Sequence, residues 1–139
     1  MERRARVFDP ELFFRALADR TRLRLLNLMG DRDLCVCFFI EALKTSQPKI
    51  SRHLGYLRRA GIVAARREGK WMHYHIVPQA DPHAARLLRE TLAWMAADPE
   101  TRRDRARLEN ACCRPQKFVR LQHAPLPAPA AEPRVVPVP

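Results

Sequence analysis

Residues 45–77 carry the strongest structural signals in the chain, and their sequence is TSQPKISRHLGYLRRAGIVAARREGKWMHYHIV. Its first half predicts an amphipathic helix over 47–60, because apolar residues recur there at spacings of four and three. Ser46 can cap the first free amides of this helix, Pro48 is tolerated in its first turn, and Gly61 ends it as a left-handed cap. The apolar positions of this helix are Ile50, Leu54 and Leu57.

The second half of the stretch predicts a β-hairpin. Two runs of strand character, 62–66 and 71–77, flank a short loop with one glycine. Met72, Tyr74 and Ile76 alternate with histidines, so we expect His73 and His75 to lie on a solvent-facing side of the strand. The basic side chains at the tip would lie along a nucleic-acid backbone or minor groove, and they are Arg66, Arg67 and Lys70.

A short helix over 38–43, joined to the helix over 47–60 by Thr45 and Ser46, predicts a helix-turn-helix. The N-terminal end of the second helix enters the major groove in this arrangement. Gln can bond adenine through two hydrogen bonds, and Lys can reach guanine acceptors. The predicted DNA contacts on this helix are Ser46, Gln47, Lys49, Ser51, Arg52 and His53.

The rest of the chain predicts further helices over 9–18, 21–29 and 82–97. Residues 31–33 are expected in a loop and 34–37 in a short extended segment, and the polar stretch 99–111 is compatible with another helix. The predicted class is therefore mainly α with a β-hairpin, a winged helix-turn-helix of order α-α-α-α-β-β-α. The predicted divisions are a DNA-binding and dimerisation domain over 1–98, a cysteine-containing extension over 99–116, and a disordered proline-rich tail over 117–139.

Charge agrees with a nucleic-acid partner. The chain has 139 residues, with 26 basic and 15 acidic side chains and a formal net charge of +11. Between Lys44 and Lys70, eight basic residues stand against one acid, Glu68. A solvated helix face usually mixes signs, so a block of one sign indicates a phosphate-facing surface. No apolar run approaches a membrane span and no secretory signal begins the chain, so we expect a cytoplasmic protein whose four cysteines stay reduced.

The pattern Ser46-Gln47-Pro48-Lys49-Ile50-Ser51-Arg52-His53-Leu54, continued by Leu57, Gly61-Ile62-Val63, Arg67, Gly69-Lys70 and Tyr74, resembles the ArsR/SmtB family of metal-sensing repressors. The segment Asp33-Leu34-Cys35-Val36-Cys37 is similar to the arsenic-sensing branch of that family. The resemblance covers residues 9–97. It implies a homodimer that binds a double-stranded operator and leaves it when an effector binds.

The family dimerises through its first and last helices, which would be 9–18 and 82–97 here. The apolar residues offered to such an interface are Phe13, Leu17, Leu88, Leu92 and Met95. A two-fold dimer would read half-sites about one helical turn apart, roughly 10 base pairs or a multiple.

The resemblance also implies trivalent arsenic, as arsenite or methylarsenite, as the effector. Arsenite has three exchangeable positions and methylarsenite two. The arsenite-sensing branch commonly has Cys-x-Cys-x-x-Cys, and here Ile40 stands at the third position. Cys112 and Cys113 resemble the vicinal cysteines of other arsenical-responsive members. Either they join Cys35 or Cys37 in a three-thiolate site, or they bind a methylated arsenical alone.

Residues two apart in a regular helix point about 200° apart. Cys35 and Cys37 could therefore share an ion only if the helix start unwound, which would couple binding to the recognition helix. Alternatively, this pair is structural or vestigial, since cysteine is often a small buried hydrophobe.

Other functions stay open on the residues alone. A zinc sensor of the family would carry Asp-x-His and then two more ligands on the last helix; Asp81 and His83 match the first half, whereas Trp94 and Ala97 stand at the second. A four-cysteine zinc site or a thiol-redox switch would suit the same fold. The cysteines could also be idle in a DNA-binding protein that senses nothing. A thiol oxidoreductase is disfavoured, because the chain has Cys-x-Cys and Cys-Cys rather than Cys-x-x-Cys. We therefore expect neither an enzyme nor a catalytic cofactor.

Overall fold

The computed structural model describes residues 8–113 and 128–129, with side chains described for 8–111. It is mostly helical with an antiparallel hairpin, as predicted. The helices are α1 (Pro10–Leu17), α2 (Arg20–Met29), α3 (Val36–Leu43), α4 (Gln47–Arg59), α5 (Pro82–Met95) and α6 (Pro99–Cys113). The strands are β1 (Arg32–Cys35), β2 (Val63–Glu68), β3 (Trp71–Ile76) and β4 (Ala128–Pro129). None of the described helices is long and apolar enough to cross a bilayer.

Local signals account for most helix ends. The Asp9 side chain accepts a hydrogen bond from the amide of Leu12 at 3.1 Å and so caps α1. Gly30 and Gly61 follow α2 and α4 with positive φ values of 51° and 75°, a region that glycine enters without steric cost. Ser46 is the N-cap residue of α4, but its side chain makes no capping hydrogen bond. Its exposed hydroxyl is therefore available to a ligand.

The sheet is larger than the predicted hairpin. Its strand order is β2-β3-β1-β4, and the pairs are antiparallel. The loop expected over 31–33 is wrong at Arg32 and Asp33, which belong to β1. The short strand has no periodicity of its own, and it forms because β3 offers it backbone partners.

The tail predicted to be disordered departs from that prediction at two residues. Ala128 and Pro129 pair with Asp33 and Arg32 at the outer side of β1. An edge strand tolerates proline, because an outward-facing amide is not needed there. The rest of 117–139 lies outside the described residues.

The core gathers residues from α1 to α6 and the sheet around three fully buried phenylalanines, Phe13, Phe38 and Phe39. The expected dimerisation face is wrong in its details, because Phe13, Leu88 and Met95 are buried within the single chain. They pack in the core of the same chain. The helical period of α1 and α5 predicts an apolar face on each helix, but it does not show whether that face meets the core or a second subunit. The large apolar side chains left exposed on these two helices are Phe14, Leu87 and Trp94.

The helix α6 packs against α2 and α3 and adds Leu108 and Ala111 to the core. Its attachment to α2 is partly ionic. The carboxylate of Asp104 is fully buried and accepts two hydrogen bonds of 2.8 Å from the guanidinium of Arg24. This bond is the main cause that raises the pKa of Arg24. The polar stretch after Pro99 is thus a helix, and the described part of the predicted extension is docked on the domain.

Replacing Asp104 by alanine should destabilise the protein by about 2–3 kcal/mol, because it strands a guanidinium whose side chain is only 14% exposed. The expected loss is at the low end for a buried pair, since Glu100 lies 3.6 Å from Arg24 and can partly replace Asp104. Urea unfolding measures this change. The matched control is Arg103→Ala, at an exposed position of the same helix, and an equal loss in both variants would contradict the role given to Asp104.

Candidate DNA-binding surface and cysteine site

The N-terminal half of α4 presents a polar surface. Its apolar residues Ile50, Leu54 and Leu57 are fully buried, which turns the opposite side of the helix to solvent. Five of the six predicted DNA contacts are exposed there, and they are Ser46, Gln47, Lys49, Ser51 and Arg52. The amides at the start of the helix lie at the same end, where a helix favours anions.

The sixth residue, His53, lies partly buried between α4 and α2. Its Nδ1 lies 3.3 Å from the Arg22 guanidinium and 3.7 Å from the Asp19 carboxylate. Burial is the main cause that lowers the pKa of His53 below its ordinary value. The imidazole therefore has less surface to offer DNA than its exposed neighbours.

An open cleft of about 410 Å³ runs beside α4. Arg22 reaches it from α2, with its guanidinium 4.2 Å from the centre of the Tyr56 ring. The same guanidinium donates to the carbonyls of Ala16 at 2.8 Å and Arg15 at 2.9 Å, which fixes its position at the end of α1. The side chains that line the cleft are Arg22, Lys49, Arg52, His53, Tyr56 and Arg59.

Sequence reasoning missed Arg22 as part of this basic surface. Arg22 stands 25 positions before Gln47, the first residue of α4, and its contacts with Tyr56 and His53 bring it to that helix. No local signal in α2 distinguishes it from the neighbouring arginines Arg20 and Arg24, which are paired with acids of the α6 region.

The hairpin β2–β3 carries the three predicted wing residues. Arg67 and Lys70 are exposed at the tip, where Gly69 takes a positive φ of 58°. The Lys70 ammonium lies 5.0 Å from the Trp71 ring centre. Arg66 is half-exposed, and its guanidinium is occupied by Asp33, with bonds of 2.9 and 2.7 Å to Oδ2. The structure thus separates Arg66 from the other two wing cations.

The two N-terminal cysteines touch. The Cys37 thiol donates a hydrogen bond to Cys35 Sγ, with the sulfurs 3.2 Å apart. The expectation that the helix must unwind to bring them together is wrong, because α3 begins at Val36 and Cys35 precedes it in extended conformation, with φ −65° and ψ 143°. A residue outside the helix does not follow the helical period, so its side chain can meet that of the first turn.

This contact shifts the pKa values of the two thiols in opposite directions. Accepting the hydrogen bond from Cys37 is the main cause that lowers the pKa of Cys35 to about 7. Donating that bond, together with burial, raises the pKa of Cys37. The lowered pKa gives Cys35 a larger thiolate fraction near neutral pH than an ordinary cysteine has, and the thiolate is the form that binds soft metals and metalloids. Cys35 is almost fully buried and Cys37 is partly exposed, so the pair is open to solvent on the side of Cys37.

Cys112 and Cys113 are the last two residues of α6, and their side chains lie outside the described ones. Their backbone belongs to a helix that packs on α3, the helix that begins just after Cys35. Within residues 8–111, no three side chains of the metal-binding types are grouped closely enough to hold an ion.

Asp81 and His83, which match the first half of the family's zinc motif, make contacts within α5. The Asp81 carboxylate caps α5 by accepting from the amides of His83 and Ala84 at 2.8 and 3.0 Å. The Ala84 bond is the main cause that lowers the pKa of Asp81. The imidazole of His83 lies 2.7 Å from the guanidinium of Arg86. These contacts account for Asp81 and His83 without a metal.

Comparison with known proteins agrees with this geometry. The family model described as "Bacterial regulatory protein, arsR family" matches residues 19–65. The arsenical resistance operon repressor of Escherichia coli is 45% identical over 86 residues, which cover 61% of this chain and 72% of the relative. An arsenic resistance transcriptional regulator of Pseudomonas putida is 39% identical over 97 residues, covering 66% of this chain and 76% of the relative.

A solved structure shares the fold. It is a homodimeric winged helix-turn-helix DNA-binding domain from Mycobacterium bovis, described as a possible ArsR-family regulator. It is 29% identical, with a TM-score of 0.51, and the match covers 63% of this chain and 81% of that one. The predicted winged helix-turn-helix fold is therefore confirmed.

Proposed function

Because this chain belongs to the ArsR family of bacterial regulatory proteins and is a DNA-binding transcriptional repressor, we propose that trivalent arsenic is its effector, bound by cysteine thiolates. The family and the matched relatives are regulators rather than enzymes. The relatives from E. coli and P. putida are named for arsenic resistance, which supports a metalloid effector.

The contact between Cys35 and Cys37 carries the proposal. Two sulfurs 3.2 Å apart, one of them with its pKa lowered to about 7, form a ready chelate for a soft centre. Each As–O bond is exchanged for an As–S bond, and the thiol proton leaves with the displaced hydroxide as water. Arsenite takes up to three thiolates in this way, and methylarsenite takes two.

The third thiol for arsenite would come from Cys112 or Cys113. The support for this assignment is that α6 packs against α3, whose start carries the first pair. The third ligand then comes from the same or the partner subunit.

The proposed route to DNA release starts at α3. This helix contacts α4 and holds it in the helix-turn-helix, so a ligand that moves the start of α3 also shifts α4. An effector that binds the DNA-released arrangement more tightly shifts the equilibrium toward it.

The proposed DNA contacts are the exposed residues at the start of α4, together with His53 and the two cations at the wing tip, Arg67 and Lys70. Gln47 and Lys49 would read base edges, whereas Arg67 and Lys70 would bind phosphates. Ser46, Ser51 and Arg52 would fix the helix on the backbone. Arg22 and Arg59 from the cleft add positive charge beside this surface.

A homodimer is proposed through α1 and α5. The M. bovis domain is described as homodimeric, and this chain exposes Phe14, Leu87 and Trp94 on those two helices. Leu87 and Trp94 stand seven residues apart and so share one side of α5. Apolar side chains of this size on one face are typical of an interface.

Replacing Trp94 by glutamate should dissociate the dimer. Trp94 is 76% exposed in the single chain, and a buried tryptophan at an interface contributes about 2–4 kcal/mol per copy, so dimerisation should weaken at least ~100-fold. Sedimentation velocity at micromolar protein measures the change. Arg89→Glu adds a carboxylate at an exposed position away from that side of α5 and should remain dimeric. Equal dissociation constants for the wild type and Trp94→Glu would refute this interface.

The effector proposal is tested by fluorescence anisotropy of the reduced protein on DNA from its own upstream region, at one stated salt concentration. Arsenite, methylarsenite and zinc are titrated separately. Release by arsenite and methylarsenite, but not by zinc, supports the proposal. Release by zinc alone, or by an oxidant alone, replaces arsenic with metal or thiol-redox sensing by the same fold.

A further inference from the structure

One face of the sheet links the cysteine site to the wing. Cys35 of β1 lies directly opposite His73 of β3, and His73 lies directly opposite Arg66 of β2. Residues that oppose each other in antiparallel strands share a face, so the three form one row across the sheet. The predicted solvent-facing position of His73 and His75 is wrong, because His73 is only 2% exposed and His75 is half-buried.

Polar and charged side chains join the same strands. We define the wing-root cluster as Asp33, Arg66, Glu68, His73 and His75. Arg66 reaches across β3 to the Asp33 carboxylate of β1, at 2.7 and 2.9 Å, and its other nitrogen lies 3.3 Å from Glu68. His75 Nδ1 lies 3.5 Å from Asp33, and His73 Nε2 lies 3.1 Å from Glu68.

The contact between Asp33 and Arg66 is the strongest in this cluster. Asp33 is 8% exposed, and a hydrogen bond between charged partners is shorter and stronger than one between neutral groups. Asp33 also stands two residues before Cys35 on the same strand and the same face. A displacement of β1 at Cys35 therefore moves the carboxylate that holds Arg66.

Arg66 is therefore poorly suited to bind a DNA phosphate. Such a contact would have to break two hydrogen bonds to a nearly buried carboxylate and would leave it the longer, 3.5 Å contact to His75 Nδ1 in their place. Arg67 and Lys70 are exposed at the tip and face no such competition.

We propose that the Asp33–Arg66 pair couples ligand binding at Cys35 and Cys37 to the position of the wing, and that Arg66 is a positioning residue rather than a DNA contact. This inference rests on the proposed function, since it assumes that a ligand binds the first cysteine pair. Binding replaces the hydrogen bond between the two sulfurs, β1 shifts at Cys35, and the Asp33–Arg66 pair transmits the shift to β2. The wing then loses its register on the DNA.

The test uses the full chain with Cys112→Ser and Cys113→Ser, which leaves Cys35 and Cys37 as its only thiols. The probe is methylarsenite, which needs two thiolates. Two quantities are measured for this parent and for variants Asp33→Asn, Arg66→Gln and their combination. The first is the number of thiols protected by methylarsenite, and the second is the ratio of operator dissociation constants with and without it.

We expect every variant to protect both thiols. The parent ratio should lie in the usual range for allosteric coupling, about 5–150-fold. Asp33→Asn and Arg66→Gln should each lower this ratio at least ~5-fold or abolish the response. The double variant should lower the ratio no further, because the two residues act through one contact. Arg67→Gln is the matched control, which should weaken operator binding and leave the ratio unchanged.

Two results would overturn the inference and leave the proposed function standing. Either both single variants keep the parent ratio, or their effects multiply in the double variant. A parent whose thiols are not protected by methylarsenite would reject the first cysteine pair as a site, and the inference would fall with it.

Discussion

Replacing Cys35 and Cys37 together by serine should abolish release by both arsenite and methylarsenite. The wild-type operator dissociation constant should rise about 5–150-fold with effector, the usual range of coupling, and the variant should show no change. The reason is chemical, because a serine hydroxyl has neither the low pKa of Cys35 nor the affinity of sulfur for a soft centre.

The control for this experiment is the variant Cys112→Ser/Cys113→Ser. If the first pair is the primary chelate, this control releases DNA with methylarsenite as the wild type does. Its response to arsenite should weaken, since the third thiolate is gone. The operator affinity of each effector-free variant shows whether the fold survives, which matters because Cys35 is almost fully buried.

The opposite pattern would decide against the first pair. If Cys35→Ser/Cys37→Ser still released DNA with methylarsenite and Cys112→Ser/Cys113→Ser did not, the vicinal cysteines would bind the effector alone. The contact between Cys35 and Cys37 would then be structural.

The double variant Gln47→Ala/Lys49→Ala should lose sequence-specific DNA binding. Each side chain that reads a base edge is worth about 1–3 kcal/mol of discrimination, and a dimer uses each one twice. We expect operator affinity to fall at least ~1,000-fold, to the level of non-specific binding. Both residues are exposed in the first turn of α4, so stability should change little.

Fluorescence anisotropy is measured on operator DNA and on scrambled DNA at the same salt concentration. The comparison separates sequence-specific binding to base edges from electrostatic binding to phosphates. The variant Arg67→Ala/Lys70→Ala is the matched comparison, because it also removes polar side chains from exposed positions. It should weaken both DNAs alike and lower the slope of affinity against salt, as loss of phosphate contacts does. If Gln47→Ala/Lys49→Ala also weakened both DNAs alike, α4 would not be the element that reads sequence.

Sequence could predict those elements whose limits are set within a few residues. Asp9 caps α1 and the two glycines Gly30 and Gly61 end helices, as their residue types indicate. The apolar period of α4 predicts both which residues are buried and which are exposed, because one helix face meets the core. The hairpin follows equally from a local alternation and its glycine turn.

The sequence predicts which residues are candidates for the site, but it does not predict how they contact one another. The family resemblance and the charge pattern select α4 and the first cysteine pair as candidates. They do not predict that Arg66 binds Asp33. Nor do they predict that Cys35 lies before the first residue of α3, where the helical period does not fix the direction of its side chain. Both facts depend on which strand lies beside which.

The amino-acid sequence thus predicts the winged helix-turn-helix, a basic surface on α4 and the thiols at the start of α3. The tertiary structure alone decides that β1 joins the sheet, that His73 is buried opposite Cys35, and that α6 docks through Arg24 and Asp104. The physical reason is the range of the interactions. Caps and helical periods act between near neighbours in the chain, whereas cross-strand register and ion pairs join residues 33 or 80 positions apart.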